Sequence, residues 1–246
     1  MPKPKTVSKK KAKRESNEEV DFSPKQSLLE LKFKDKKFNL TEKQQIILKT
    51  ALSPEIKIVF LSGPAGSSKT WCAIYAALNI INRDKDKGIC YVRSVVESAS
   101  SHMGFLPGTE DDKINPYMRP LKDKLSEILK ADSVSNLDSA ELLETRPINF
   151  LRGNQFDNQI VVLDEAQNLT KREMVTFLTR IGKNCIMFVC GDSDQSDIRE
   201  KDAFFETISA FGRHEKSKDF GIYHFAFTID DVVRNPIIKH ILRVMS

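Results

Sequence analysis

Residues 56–61, Ile56-Lys57-Ile58-Val59-Phe60-Leu61, run toward Gly63-Pro64-Ala65-Gly66-Ser67-Ser68-Lys69-Thr70, and this junction decides the fold. The first stretch is a short, β-branched, apolar run of the kind that forms a strand buried on both faces. Beyond the loop, Trp71, Ile74, Tyr75, Leu78 and Ile81 share one helical face, which predicts a helix over residues 70–82. Strand, glycine-bearing loop and helix in that order make a phosphate cradle. Backbone N–H groups converge on the anion, and the helix N-terminus adds partial positive charge. Gly63, Pro64, Ala65, Gly66, Ser67, Ser68, Lys69 and Thr70 are therefore candidate nucleotide-binding residues. Lys69 is placed to reach the β- and γ-phosphates, and Thr70 to offer its hydroxyl to Mg2+. Ser68 stands where the pattern has a glycine, so its side chain restricts the backbone there or adds a hydroxyl to the phosphate cage.

Working outward, apolar strand runs recur at residues 89–92, 160–163, 185–190 and 222–228. Between them lie helical patterns. One lies within residues 116–130, with Leu121, Leu125, Ile128 and Leu129 at helical spacing and Pro120 expected in its first turn. Another starts at a Thr170…Glu173 capping box and continues through Met174, Phe177, Leu178 and Ile181. Residues 236–244 close the pattern with a helix. Strands alternating with helices predict an α/β fold with a mostly parallel sheet and helices on both faces.

The run at 160–163 delivers Asp164 and Glu165 to a strand end. A carboxylate there suits Mg2+, giving Asp164 the metal role. Its neighbour Glu165 is the candidate base for an attacking water. The run at 185–190 leads into Gly191, Asp192, Asp194 and Gln195, with Gln195 the candidate sensor of the γ-phosphate.

Net charge is +5, and Lys3, Lys5, Lys9, Lys10, Lys11, Lys13 and Arg14 are unopposed by any acid over residues 1–14. The basic character thus belongs to a tail, residues 1–24, expected to be disordered and to serve as a solvated arm, a phosphate-binding arm or a nuclear address. Residues 25–246 are expected to form one domain. Cys72, Cys90, Cys185 and Cys190 lack metal spacing and are expected as buried reduced thiols, and the four histidines form no zinc motif. No apolar run reaches the length of a membrane span, and no secretory leader is apparent.

Several further motifs occur in order from about residue 40 to the C-terminus: Gly104-Phe105-Leu106-Pro107-Gly108, Val162-Leu163-Asp164-Glu165-Ala166-Gln167-Asn168, Phe177-Leu178-Thr179-Arg180-Ile181-Gly182, Gly191-Asp192, and Asp231-Val232-Val233-Arg234-Asn235-Pro236. With the phosphate loop they resemble the PhoH-like proteins, departing at Ser68 and Asn235, where the family more often has Gly and His. The resemblance implies a RecA-like P-loop NTPase core related to superfamily 1 helicases, ATP hydrolysis with Mg2+, and a bacterial or phage-infected host cytoplasm. It implies that Leu40-Thr41-x-x-Gln44 is a Q motif, with Gln44 reading adenine; the plainer alternative is a helix cap at Thr41 followed by a surface residue. No nuclease activity is expected. A single-stranded nucleic-acid substrate is implied, RNA more often than DNA. Arg93, Arg119 and Arg152, in polar segments near strand ends, are candidate phosphate contacts or ion-pair partners. The γ-phosphate also needs an arginine. Arg180 and Arg234 are the candidates, and action in trans would make a homo-oligomer, with a hexameric ring as the closed form; a fully active monomer in sedimentation would exclude it. Two other functions fit the same residues: an ATPase acting on a protein partner, and a nucleotide-gated RNA-binding module without turnover.

Overall fold

The computed structural model describes residues 30–34, 38–94, 110–148, 151, 153, 155–192, 203–233 and 236–245. Its centre is a six-stranded sheet in the order β3-β2-β4-β5-β1-β6. The strands are β1 (Ile58–Ser62), β2 (Gly88–Arg93), β3 (Leu143–Pro147), β4 (Gln159–Asp164), β5 (Ile186–Gly191) and β6 (Ile222–Ala226), and neighbouring strands pair in parallel. The α-helices among the described residues are α1 (Glu42–Ala51), α2 (Lys69–Arg83), α3 (Glu110–Ile128), α4 (Ala131–Ser139), α5 (Lys171–Leu178), α6 (Ala203–Arg213) and α7 (Pro236–Met245).

The continuous apolar strands are explained by burial on both sides. Val59, Leu61, Ile89, Tyr91, Ile160, Val162 and Phe188 face a core completed by α1 to α4. Their alternating neighbours Phe60, Cys90, Val92, Val161, Leu163, Met187 and Val189 face a second core with Met174 and Phe177 of α5 and Phe204 of α6. Period-two alternation thus assigns each strand residue to one layer. All four cysteines are buried and free, and burial pushes the Cys72 thiol up to about 12.

The helix expected within 116–130 starts earlier. It begins at Glu110, so Pro120 lies inside α3 and not in its first turn. Leu121, Leu125, Ile128 and Leu129 are all fully buried, and this packing outweighs the hydrogen bond that Pro120 cannot donate. The capping box at Thr170 is present in full: Thr170 Oγ1 accepts from Glu173 N–H at 3.3 Å, and Glu173 Oε2 accepts from Thr170 N–H at 2.9 Å. Strand β3 has no counterpart among the apolar runs. It is an edge strand with the sequence Leu-Glu-Thr-Arg-Pro, paired with β2 on one side, where Pro147 is tolerated.

One strand, β5, separates the loop strand β1 from the carboxylate strand β4. Their axes are therefore two strand spacings, roughly 10 Å, apart. The loop leaving β1 has to lean over β5 to meet Asp164, at the carboxyl edge where ligands of open parallel sheets collect. No helix among the described residues is long and apolar enough to cross a membrane.

Candidate nucleotide site

The loop from β1 to α2 is shaped by two glycines with positive φ, Gly63 at 139° and Gly66 at 79°. A Cβ on Gly63 would lie 2.5 Å from Phe227 O, so the loop start admits only glycine. Ser68 adopts φ 68° and ψ 26° as the residue before α2. That is the left-handed region, which accounts for the glycine expected there and makes Ser68 a strained substitute. Ser67 is fully buried, its hydroxyl donating to Pro64 O at 2.8 Å. Ser68→Gly is expected to raise the free energy of unfolding by about 0.5–1 kcal/mol, since glycine removes the left-handed penalty of roughly 1–2 kcal/mol but loses more chain entropy on folding. Denaturant titration measures it, and a loss of stability would mean that the Ser68 side chain makes contacts worth more than its strain.

Lys69 folds over the loop. Its ammonium donates to Gly63 O at 2.5 Å and to Pro64 O at 2.9 Å. Burial depresses the Lys69 pKa, opposed chiefly by the nearby Asp192 and also by Asp164 and Glu165. Next along the helix, Thr70 Oγ1 donates to Asp164 Oδ1 at 2.8 Å, which closes the gap between the loop and β4. Asp164 Oδ1 also accepts from the Glu165 N–H at 3.1 Å, and Asp164 Oδ2 accepts from the Tyr91 hydroxyl at 2.6 Å. A hydroxyl and a carboxylate side by side form a hard oxygen donor set suited to Mg2+. Among the described residues no group of three or more His, Cys, Asp or Glu is gathered for a metal. A Mg2+ held by one carboxylate, one hydroxyl, water and phosphate oxygens needs no such cage.

Glu165 leaves the strand in a left-handed turn, φ 56°. Its Oε2 accepts from Gln167 Nε2 at 2.8 Å, and its Oε1 lies 3.7 Å from Arg93 Nη2. Gln167 is 1% exposed, and its Oε1 accepts from the Asp192 N–H at 3.0 Å. One buried amide thereby ties the end of β4 to the end of β5. Arg93, a candidate phosphate contact or ion-pair partner, is thus placed beside the candidate base.

A cavity of about 560 Å³ is lined by Lys69, Thr70, Asp164 and Glu165 together with Phe38, Leu40, Gln44 and Trp71. Gln44 is the reciprocal partner in a capping box: its Oε1 accepts from Thr41 N–H at 3.0 Å and its N–H donates to Thr41 Oγ1 at 3.3 Å. The capping part of the plainer reading is present, but Gln44 is buried and not on the surface, and it lines the cavity. Phe38 and Trp71 meet edge to face at 5.4 Å, and Trp71 stacks on Tyr75 at 4.9 Å. Lys43, beside Gln44, donates to Asp231 Oδ2 at 2.5 Å and to Ala226 O at 2.9 Å, so the motif around Asp231 is anchored to α1.

Arg180 is not brought to this cavity. It lines a separate cavity of about 640 Å³ with Ile148, Leu151, Thr170, Arg172, Glu173 and Thr176. Arg119 is exposed on α3. Gln195, Arg234, Arg152, the basic tail and the segment at 104–108 lie outside the described residues. Sequence reasoning missed Tyr91 and Gln167 as site residues, and it read Trp71 only as part of a helix face.

The profile of the family described as PhoH-like protein matches residues 38–246. The chain is 36% identical over 185 residues to a PhoH-like protein of Bacillus subtilis (strain 168), covering 75% of this chain and 57% of the relative. It is 36% identical over 193 residues to the protein PhoH of Escherichia coli (strain K12), covering 77% of this chain and 53% of the relative. The chain thus spans about half the length of these curated relatives. Among solved structures, the large terminase of a thermophilic bacteriophage superposes with a TM-score of 0.53 at 11% identity, over 85% of this chain and 51% of that one. That likeness concerns the fold.

Proposed function

The chain belongs to the PhoH-like protein family, and on that premise we propose that it binds ATP with Mg2+ and hydrolyses it, coupling turnover to single-stranded nucleic acid, RNA in preference to DNA. The observation that carries this reading is the 2.8 Å hydrogen bond from Thr70 to Asp164. It joins the phosphate loop to the carboxylate strand and leaves Lys69 and Glu165 on either side. In this reading the loop N–H groups and Lys69 hold the β- and γ-phosphates. Thr70 and Asp164 hold the cation, which supplies charge neutralisation of the transferring phosphoryl group. Glu165 orients and deprotonates water. Gln44 and the aromatic pair Phe38 and Trp71 receive the base. Soluble cytoplasmic action is part of the same proposal.

The link to nucleic acid rests on the family's resemblance to helicase cores and on the position of Arg93 at the carboxyl edge. Arg93 reaches Glu165 at 3.7 Å with its side chain 37% exposed. A strand phosphate competing for Arg93 would release Glu165 toward water, which makes polymer binding a natural stimulus of turnover. ATP turnover with and without single-stranded RNA and DNA tests this. Stimulation of several-fold by one polymer is expected. Turnover indifferent to both would assign the ATPase to a protein partner, and ATP binding without turnover would make the chain a nucleotide-gated binding module.

A further inference from the structure

Tyr91 is 1% exposed, lies on β2 and donates its hydroxyl to the carboxylate assigned to the metal. The strand register explains how. Arg93 pairs with Asp164, so Tyr91 stands two residues upstream of that rung, on the same sheet face as Ile160, Val162 and Asp164. Two residues along a strand is roughly 7 Å, a gap that a tyrosine ring and hydroxyl span. The ring is buried in the core that α1 to α4 complete.

The two oxygens of Asp164 are therefore unequal. Oδ1 accepts from Thr70 Oγ1 and from the Glu165 N–H, both on residues that line the cavity. The Thr70 hydroxyl can rotate its proton away when its oxygen faces a cation, which frees Oδ1. Oδ2 accepts from Tyr91 at 2.6 Å. That donor is a phenol on a strand residue only 1% exposed, held beside Asp164 by the register of β2 and β4.

We infer that Tyr91 determines which divalent cation the site accepts, by occupying Asp164 Oδ2 so that the carboxylate offers one oxygen only. This rests on the proposed nucleotide site. Mg2+ demands octahedral geometry at about 2.0–2.1 Å and takes a carboxylate through one oxygen, whereas Ca2+ takes 6–8 ligands at about 2.3–2.6 Å and readily uses both oxygens. A carboxylate pinned at one oxygen suits Mg2+ and denies Ca2+ its bidentate mode. Tyr91 is thus a positioning residue that acts through Asp164.

The test is cation dependence of nucleotide binding. A fluorescent ATP analogue is titrated with Mg2+ and separately with Ca2+ on the full chain, for wild type, Tyr91→Phe and Tyr91→Met, each first checked for a cooperative thermal melt. In both variants the Ca2+ midpoint falls relative to the Mg2+ midpoint, shifting their ratio about tenfold, the scale of one charge-assisted hydrogen bond. An unchanged ratio in either folded variant, with wild type showing a clear cation effect, overturns the role of Tyr91 and leaves the nucleotide site standing. A wild type whose analogue binding ignores both cations overturns the site reading itself and this inference with it.

Discussion

Replacing Glu165 by Gln is expected to lower ATP turnover by about 100-fold or more, while ATP affinity stays within a few-fold of wild type. General bases contribute about 10²–10⁴ to rate, and the amide cannot accept the proton from water. The substitution keeps the shape of the side chain, and its remaining carbonyl can still accept from Gln167 Nε2, now 2.8 Å from Glu165 Oε2. The main structural loss is the loose 3.7 Å contact with Arg93, which is partly solvated and worth little. Steady-state turnover with a phosphate-release assay, paired with equilibrium binding of ATP, separates the two effects. Equal loss of binding and turnover would show that Glu165 holds the loop and does not act on water. Unchanged turnover would remove it as the base.

The part of this architecture that was legible in the sequence is the part where local chemistry and global packing agree. Strand β1 and its loop could be read because a strand buried on both faces must be apolar throughout, and because a phosphate loop needs glycine at fixed backbone positions. Even Ser68 fits this rule, since the structure gives it the left-handed conformation of the residue it replaces. Strand β3 was illegible for the opposite reason. At the sheet edge it is covered by one strand only, so Glu144 and Arg146 are allowed and no apolar run announces it. Tyr91 and Gln167 belong to a third class. Each looks like an ordinary residue of a strand or a turn, and its role comes from register across strands far apart in the chain: Tyr91 reaches Asp164, and Gln167 reaches Asp192. No spacing along the sequence encodes those pairs. Arg180 occurs in its motif in order and lines another cavity, so a role at the γ-phosphate would have to be exerted on a neighbouring copy of the chain.

Replacing Lys69 by Ala is expected to weaken ATP binding by about 100-fold without lowering the stability of the nucleotide-free protein. Hydrogen bonds to charged groups contribute about 1.5–3 kcal/mol each, so losing one or two such bonds to phosphate accounts for that factor. Stability follows a separate argument. Lys69 satisfies its ammonium with Gly63 O and Pro64 O, yet burial still depresses its pKa despite the carboxylates around it. The folded state therefore disfavours the charged form relative to the unfolded chain. In linkage terms the unfolded chain binds more protons between the depressed folded value and the ordinary 10.5, so stability attributable to this group rises with pH across that window and is lowest below it. Below that window the wild type carries this cost, and alanine removes it. Thermal melts at neutral pH should place Lys69→Ala at or slightly above wild type, and the alkaline rise in wild-type stability should be smaller in the variant. A clear drop in melting temperature would mean that the two carbonyl contacts outweigh desolvation and that Lys69 is structural. The expected pattern, weaker binding with undiminished stability, marks a charge kept buried for its ligand at the expense of the fold.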